Sequence, residues 1–312
     1  MKRIIWRSWS RYEAAWELDR LKNFPMQHQW LNGHEVAPEV NDIYLTTNGY
    51  DYRVGGFKKA SLYWESYVYL RQEYDRWNVD KRWNHRFHFN PNYYNKPDCS
   101  YLGIGTWWKN ELPMYEQFRA IKKIEHVFGM VLGWKPTQPI HPADLGHIRS
   151  TIVRECRTRS FKYYGTKWPS GDPHYSGEAY VYGAKHSPVK FNDARRLMCG
   201  AKFVFATENT YDQNYSVNYL TEKIFHGFLS ASVPIYAGCW NVKDILPGLY
   251  IDLRDFNMDI KRVCDHCEKM PDSEYRGYLD RIDEFLHGPK AGAMSCDERF
   301  VELDGKIKAL WG

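Results

Sequence analysis

No apolar run in the 312-residue sequence approaches the roughly 20 residues that span a bilayer, so no helical membrane span is expected within it. The opening Met1-Lys2-Arg3-Ile4-Ile5-Trp6 offers no signal-peptide core before Arg7 and Arg11 interrupt it, and the expectation is a cytoplasmic protein. Cysteine is sparse. The seven Cys are odd in number and scattered, which argues against a secreted disulfide framework and for reduced thiols. Cys264 and Cys267 flank His266, but no second C-x-x-C completes a zinc site, so both are read as ordinary helix residues. Internal repeats and low-complexity tracts are absent. The excess of one charge is small: net +5 with pI near 8.6 suits an anionic small substrate and falls short of the clustered charge of a nucleic-acid binder.

What is abundant is aromatic side chain, 17% of the residues, with 24 Tyr and 13 Trp, many in polar stretches. Such rings present an apolar face with a polar handle, which suits recognition of a sugar or a base. The stretch 71–96 interleaves Tyr74, Trp77, Trp83, Phe87, Phe89, Tyr93 and Tyr94 with Arg, His and Asn, and reads as an acceptor platform or a folded loop. The length predicts two domains of about 100–200 residues each, and two lobes imply a cleft.

From about residue 127 onward short apolar β-rich runs alternate with helical periodicity, the pattern of βαβ units. Strands are expected at 127–134, 161–164, 202–207, 233–237 and 249–253, and helices at 144–159, from 221 and over 273–287, the last packing back across the sheet. The first half is less regular, with strand candidates at 3–6, 42–46, 61–64 and 101–104. The fold class is therefore α/β, with domains at 1–122 and 123–312.

The densest chemistry lies between residues 202 and 256: a strand ending in Thr207-Glu208-Asn209, a polar loop, Tyr219-Leu220-Thr221-Glu222-Lys223, and the strand Val233-Pro234-Ile235-Tyr236. In doubly wound sheets ligands sit beyond the carboxyl ends of the strands, where a helix N-terminus presents free N–H groups to a phosphate. Thr221 is placed to cap such a helix, Lys223 to neutralise phosphate, and Asn209 and Tyr219 to hydrogen-bond a ribose, phosphate or sugar. Spacing alone equally fits a well-capped helix with no ligand.

These motifs resemble the α1,3/α1,4-fucosyltransferases of glycosyltransferase family 10, whose donor motif runs from a strand ending in Glu-Asn through Tyr-x-Thr-Glu-Lys to a Val-Pro-(Ile/Val) strand. The resemblance continues into Tyr250-Ile251-Asp252 and Asp255-Phe256, and back to Arg149 and Tyr163-Tyr164-Gly165. It implies two Rossmann-like domains facing across a cleft (GT-B type), the second binding GDP-fucose and carrying C-terminal helices. It implies that Arg149 and Lys223 bind the diphosphate, with Arg154 the alternative to Arg149. Asn209, Tyr219 and Thr221 would contact the donor, and Glu222 would face the fucose as a catalytic residue. In the first domain Leu62-Tyr63-Trp64-Glu65-Ser66 resembles the family's acceptor-side strand, which makes Glu65 the general-base candidate.

The expected reaction is inverting fucosyl transfer to a glycan hydroxyl, an α1,3 linkage on a GlcNAc- or Glc-type sugar. No D-x-D pair is present to chelate a metal under the diphosphate, so no metal and no cofactor are expected. The loop 210–218 is longer than in typical members, Thr207 stands where Phe usually precedes Glu-Asn, and Tyr67 replaces the usual Pro after Glu-Ser. The alternatives are transfer of another GDP-hexose by the same fold, or a carbohydrate- or nucleic-acid-binding protein built on the 71–96 stretch.

Overall fold

The computed structural model describes residues 2–7, 18–19, 21–22, 24–33, 35–36, 39, 42–47, 58–63, 85–89, 99–107, 109–135, 139, 141–169, 171–177 and 195–311. The first sheet is six-stranded and parallel, in the order β2-β1-β3-β4-β5-β6. Its strands are β1 (Arg3–Arg7), β2 (Gln29–Asn32), β3 (Ile43–Thr47), β4 (Lys58–Tyr63), β5 (His85–His88) and β6 (Cys99–Tyr101). β5 runs inside the aromatic stretch 71–96, most of which lies outside the described residues.

The second sheet is five-stranded and parallel, in the order β11-β10-β9-β7-β8. The elements that follow β6 in chain order include α1 (Leu112–Ile121), β7 (His126–Val131), α2 (Ile148–Cys156), β8 (Phe161–Tyr164), β9 (Ala201–Thr207), α3 (Glu222–Leu229), β10 (Val233–Ala237), α4 (Val242–Ile245), β11 (Ile251–Asp252), α5 (Ile260–Lys269), α6 (Asp272–His287), α7 (Pro289–Ala293) and α8 (Cys296–Trp311). A parallel sheet is covered on both faces, so its central strands are apolar throughout. All five residues of β10 are buried. On β9, Phe203 and Phe205 face α2 and α5, while Ala206 faces α3 and α6. Gly227 lets α3 sit close to the sheet: a Cβ there would lie 2.8 Å from both Pro234 and Val204 side-chain atoms.

Two differences from the sequence reading have local causes. The helix expected over 144–159 is confined to α2, because Asp144 accepts from the Gly146 amide at 2.7 Å and pairs with Thr210 in an isolated bridge. The strand expected over 249–253 shortens to β11, because the Asp252 carboxylate accepts from the Arg254 amide at 3.0 Å and starts a 3₁₀ turn over Leu253–Phe256. Cys264 and Cys267 are buried on α5, as a helix reading requires, with the Cys264 sulfur 3.7 Å from that of Cys156.

Packing crosses the boundary expected near residue 122. α1 lies ahead of it, yet Tyr115 packs among Phe225 and Phe228 of α3 and Ile282 and Leu286 of α6. α8 returns to the first sheet, where Phe300, Leu303 and Ile307 join Ile4, Trp6, Leu45 and Phe87. The Asp304 carboxylate pins this helix, accepting from Trp30 Nε1 at 2.8 Å and lying 2.9 Å from His28 Nδ1. An apolar stripe specifies that a helix must be buried, not which sheet covers it.

Candidate active site

In this doubly wound sheet the strand order reverses between β7 and β9, and a crevice opens where neighbouring loops leave in opposite directions. Arg149, the second residue of α2, is buried there. Its Nη1 donates to the Gly133 carbonyl just past β7 at 2.9 Å, and its Nη2 donates to Asn209 Oδ1 just past β9 at 2.8 Å. The guanidinium thus spans the switch point, and its planar fork is the shape that grips phosphate oxygens. Arg154, the alternative, is solvent-facing and paired with Glu155 at 3.0 Å.

The residue before Asn209 builds the other half of the site. Glu208 is fully buried at the end of β9, and its Oε1 accepts from the Thr221 amide at 2.9 Å. The Thr221 hydroxyl lies 2.9 and 2.7 Å from the two carboxylate oxygens, and the Tyr236 hydroxyl donates to Oε1 at 3.3 Å. Thr221 caps α3, its side chain accepting from the Lys223 amide. The Lys223 ammonium sits 3.0 Å from Thr221 Oγ1, 3.2 Å from Glu208 Oε2 and 3.2 Å from Glu222 Oε1. Burial raises the pKa of Glu208, opposed by the positive charge of Lys223. One dipeptide, Glu208-Asn209, therefore holds both candidate phosphate-binding cations in place.

Gly238 makes this approach possible, since a Cβ at that position would fall 2.2 Å from Glu208 Cγ. Further along α3, His226 is buried and its pKa is pushed down to about 3 by desolvation and then by the charge of Arg195. Arg195 itself is buried and pairs with Glu111 at 2.8 Å.

The structure brings together Arg149 with Asn209, and Thr221 with Glu222 and Lys223. Tyr219 is placed differently: its ring is fully buried, 5.4 Å from that of Phe89 and clustered with Ile104, so it joins the two lobes. Glu65 lies outside the described residues. Sequence reasoning passed over Glu208, which ends a strand like many solvated acids. Its signal was the neighbouring Thr221 and Lys223, which between them supply a cap donor and a counter-charge. Among the described residues, Glu116, Asp283 and His287 bring ligand atoms within 4.8 Å of one another, but they lie on α1 and α6 with Arg119 already paired to Asp283.

Two parallel sheets in this order, with cations at the carboxyl edge of the second, have the two-lobed fold of the GT-B kind. Residues 175–286 match the family model described as glycosyltransferase family 10 (fucosyltransferase) C-term. Among solved structures, an α1,3-fucosyltransferase with GDP is similar with a TM-score of 0.53 and 14% identity, over 89% of this chain and 81% of that one. An α1,3-fucosyltransferase with GDP-fucose gives 0.50 and 13%, over 89% and 81%. A trehalose 6-phosphate synthase from Burkholderia multivorans gives 0.55 and 9%, over 90% and 74%. At these identities the likeness is one of fold. No curated relative matches the sequence. Among the described residues, no helix is long and apolar enough to cross a membrane.

Proposed function

We propose that the protein transfers fucose from GDP-fucose to a hydroxyl of a glycan acceptor, with inversion and without a metal ion. The observation that carries this reading is the Glu208-Asn209 dipeptide, which fixes Arg149 at the switch point and Lys223 at the start of α3. Two preorganised cations at a helix start suit a leaving diphosphate, and they supply the charge that a metal would otherwise bring. Support for the sugar comes from the family 10 match over 175–286.

In this reading Glu65 accepts the proton of the acceptor hydroxyl. The oxygen attacks the anomeric carbon as the bond to GDP breaks, and Arg149 and Lys223 balance the charge on the departing diphosphate. Glu222 stabilises the positive character of the sugar. A cytoplasmic site of action belongs to the same reading, supported by the buried free thiols of Cys156, Cys199, Cys239, Cys264, Cys267 and Cys296. The test is GDP release from GDP-fucose and from GDP-mannose over a glycan panel in EDTA. The expected result is acceptor-dependent release from GDP-fucose that survives chelation. Release that requires Mn²⁺, or that favours GDP-mannose, contradicts the proposal.

A further inference from the structure

A shallow cavity of about 340 Å³ opens beside Trp240, lined by Tyr211, Trp240, Asn241, Lys243, Asp244 and Arg254. It sits at the same carboxyl edge as Glu208, because the Cys239 amide donates to the Tyr236 hydroxyl at 3.0 Å and that hydroxyl in turn reaches Glu208. Trp240 keeps 41% of its surface exposed, yet it is held on several sides. Its ring stacks on Tyr211 with centroids 5.2 Å apart, its amide donates to the Ser216 carbonyl at 2.9 Å, and its carbonyl accepts from Arg254 Nη1 at 2.9 Å. Tyr211 and Ser216 both belong to the loop 210–218 that links β9 to α3.

We propose that this cavity is a second carbohydrate subsite, taking a sugar ring of the acceptor at least one unit from the reacting hydroxyl. The inference rests on the glycosyltransferase reading above and extends it to the second domain. A large aromatic face fixed at an open surface is a surface for the apolar side of a pyranose, and Asn241 and Asp244 provide hydrogen-bonding groups around it. The local charge disfavours an anion. Arg254 pairs with Asp252 at 2.6 Å and Lys243 with Asp255 at 2.6 Å, so with Asp244 two cations face three carboxylates. A neutral polyol fits that balance better than a phosphate. Asn241 is also tied by reciprocal bonds to Asn218, whose side-chain amide donates to the Phe89 carbonyl of the first lobe at 3.5 Å, so the cavity borders the junction between lobes.

The test measures binding of linear N-acetyllactosamine-type glycans of one to four sugars to wild type, Trp240→Ala and Trp240→Phe, with GDP affinity measured alongside by calorimetry. The expected result is wild-type affinity that rises with length, a loss of about tenfold in Trp240→Ala for the three- and four-sugar glycans only, and recovery of most of it in Trp240→Phe. The monosaccharide and GDP affinities should not change. An equal loss at every length, or no gain with length in wild type, overturns the subsite. A fall in GDP affinity in Trp240→Ala also overturns it and gives the cavity to the nucleotide. Wild type that fails to bind GDP counts against the donor reading instead, while a Trp240-dependent length preference is still readable.

Discussion

The Thr221 hydroxyl lies 2.9 and 2.7 Å from the two carboxylate oxygens of Glu208, and the Lys223 ammonium completes the group at 3.0 Å from that hydroxyl. A fully buried carboxylate is tolerated here because both of its oxygens meet donors, from Thr221, Tyr236 and Lys223. Removing it leaves Lys223 and the Thr221 amide without their main partner. Glu208→Ala is therefore expected to cost about 3–5 kcal/mol of stability, read from denaturant unfolding. Thr221→Val should cost about 1 kcal/mol, with Thr221→Ser close to wild type. A loss under 1 kcal/mol in Glu208→Ala would show that the cluster does not hold the start of α3.

Gly238 should be intolerant of any side chain. A methyl group there meets Glu208 Cγ at 2.2 Å, and the carboxylate cannot retreat without giving up Thr221 and Lys223. Gly238→Ala should lower stability by about 1–3 kcal/mol and weaken GDP binding together, because one displacement disturbs both. A stable Gly238→Ala protein with unchanged GDP affinity would separate the buried carboxylate from the donor site.

His226 gives a pH dependence of definite sign. Its pKa is about 3 in the fold, where burial and the charge of Arg195 disfavour protonation, against 6.5 in an unfolded chain. Between those values the unfolded state binds the extra proton, so this contribution is present above pH 6.5 and is lost as the pH falls toward 3. The slope is about 1.4 kcal/mol per pH unit in the middle of the window. Glu208, whose pKa burial raises, contributes with the opposite sign above its unfolded value, so the comparison must be made between wild type and His226→Gln. The variant should show a shallower loss of stability from pH 6.5 to 4. Parallel pH profiles would contradict the assignment.

Much of the second domain was legible because a parallel sheet buries both faces and leaves runs such as Val233–Ala237 and Ala201–Thr207 in plain view. The cap at Thr221 was legible for a local reason, since a cap is decided by residues within one turn. Short polar strands such as Gln29–Asn32 and His85–His88 were not, because their pairing comes from neighbours distant in sequence. Tyr219 shows the same limit: its type suggested a donor contact, but whether a Tyr faces ligand or the opposing lobe depends on Phe89 and Ile104, far away in the chain. Glu208 was missed because burial of an acid is visible only once its donors, from Thr221 and Tyr236, are assembled around it.

The Arg149–Asn209 contact predicts unequal effects at its two ends. Arg149→Lys keeps the charge but loses the fork that bonds Gly133 and Asn209 at once, so GDP affinity should fall about tenfold or more. Asn209→Ala leaves the charge and removes one of its two anchors, and a smaller loss is expected. Titration of GDP into both variants checks this, and the order would be reversed if Asn209 rather than Arg149 carried the contact to phosphate.

Calorimetric titration of GDP and UDP into wild type, Arg149→Ala and Lys223→Ala, in EDTA, tests the central claim most directly. The expected result is GDP binding to wild type without metal, UDP weaker by at least about tenfold, and a loss of about tenfold or more in each variant while circular dichroism shows the fold retained. Undiminished GDP binding in both folded variants, or equal binding of UDP and GDP to wild type, would contradict the claim that Arg149 and Lys223, held by Asn209 and Glu208, form a GDP-sugar site.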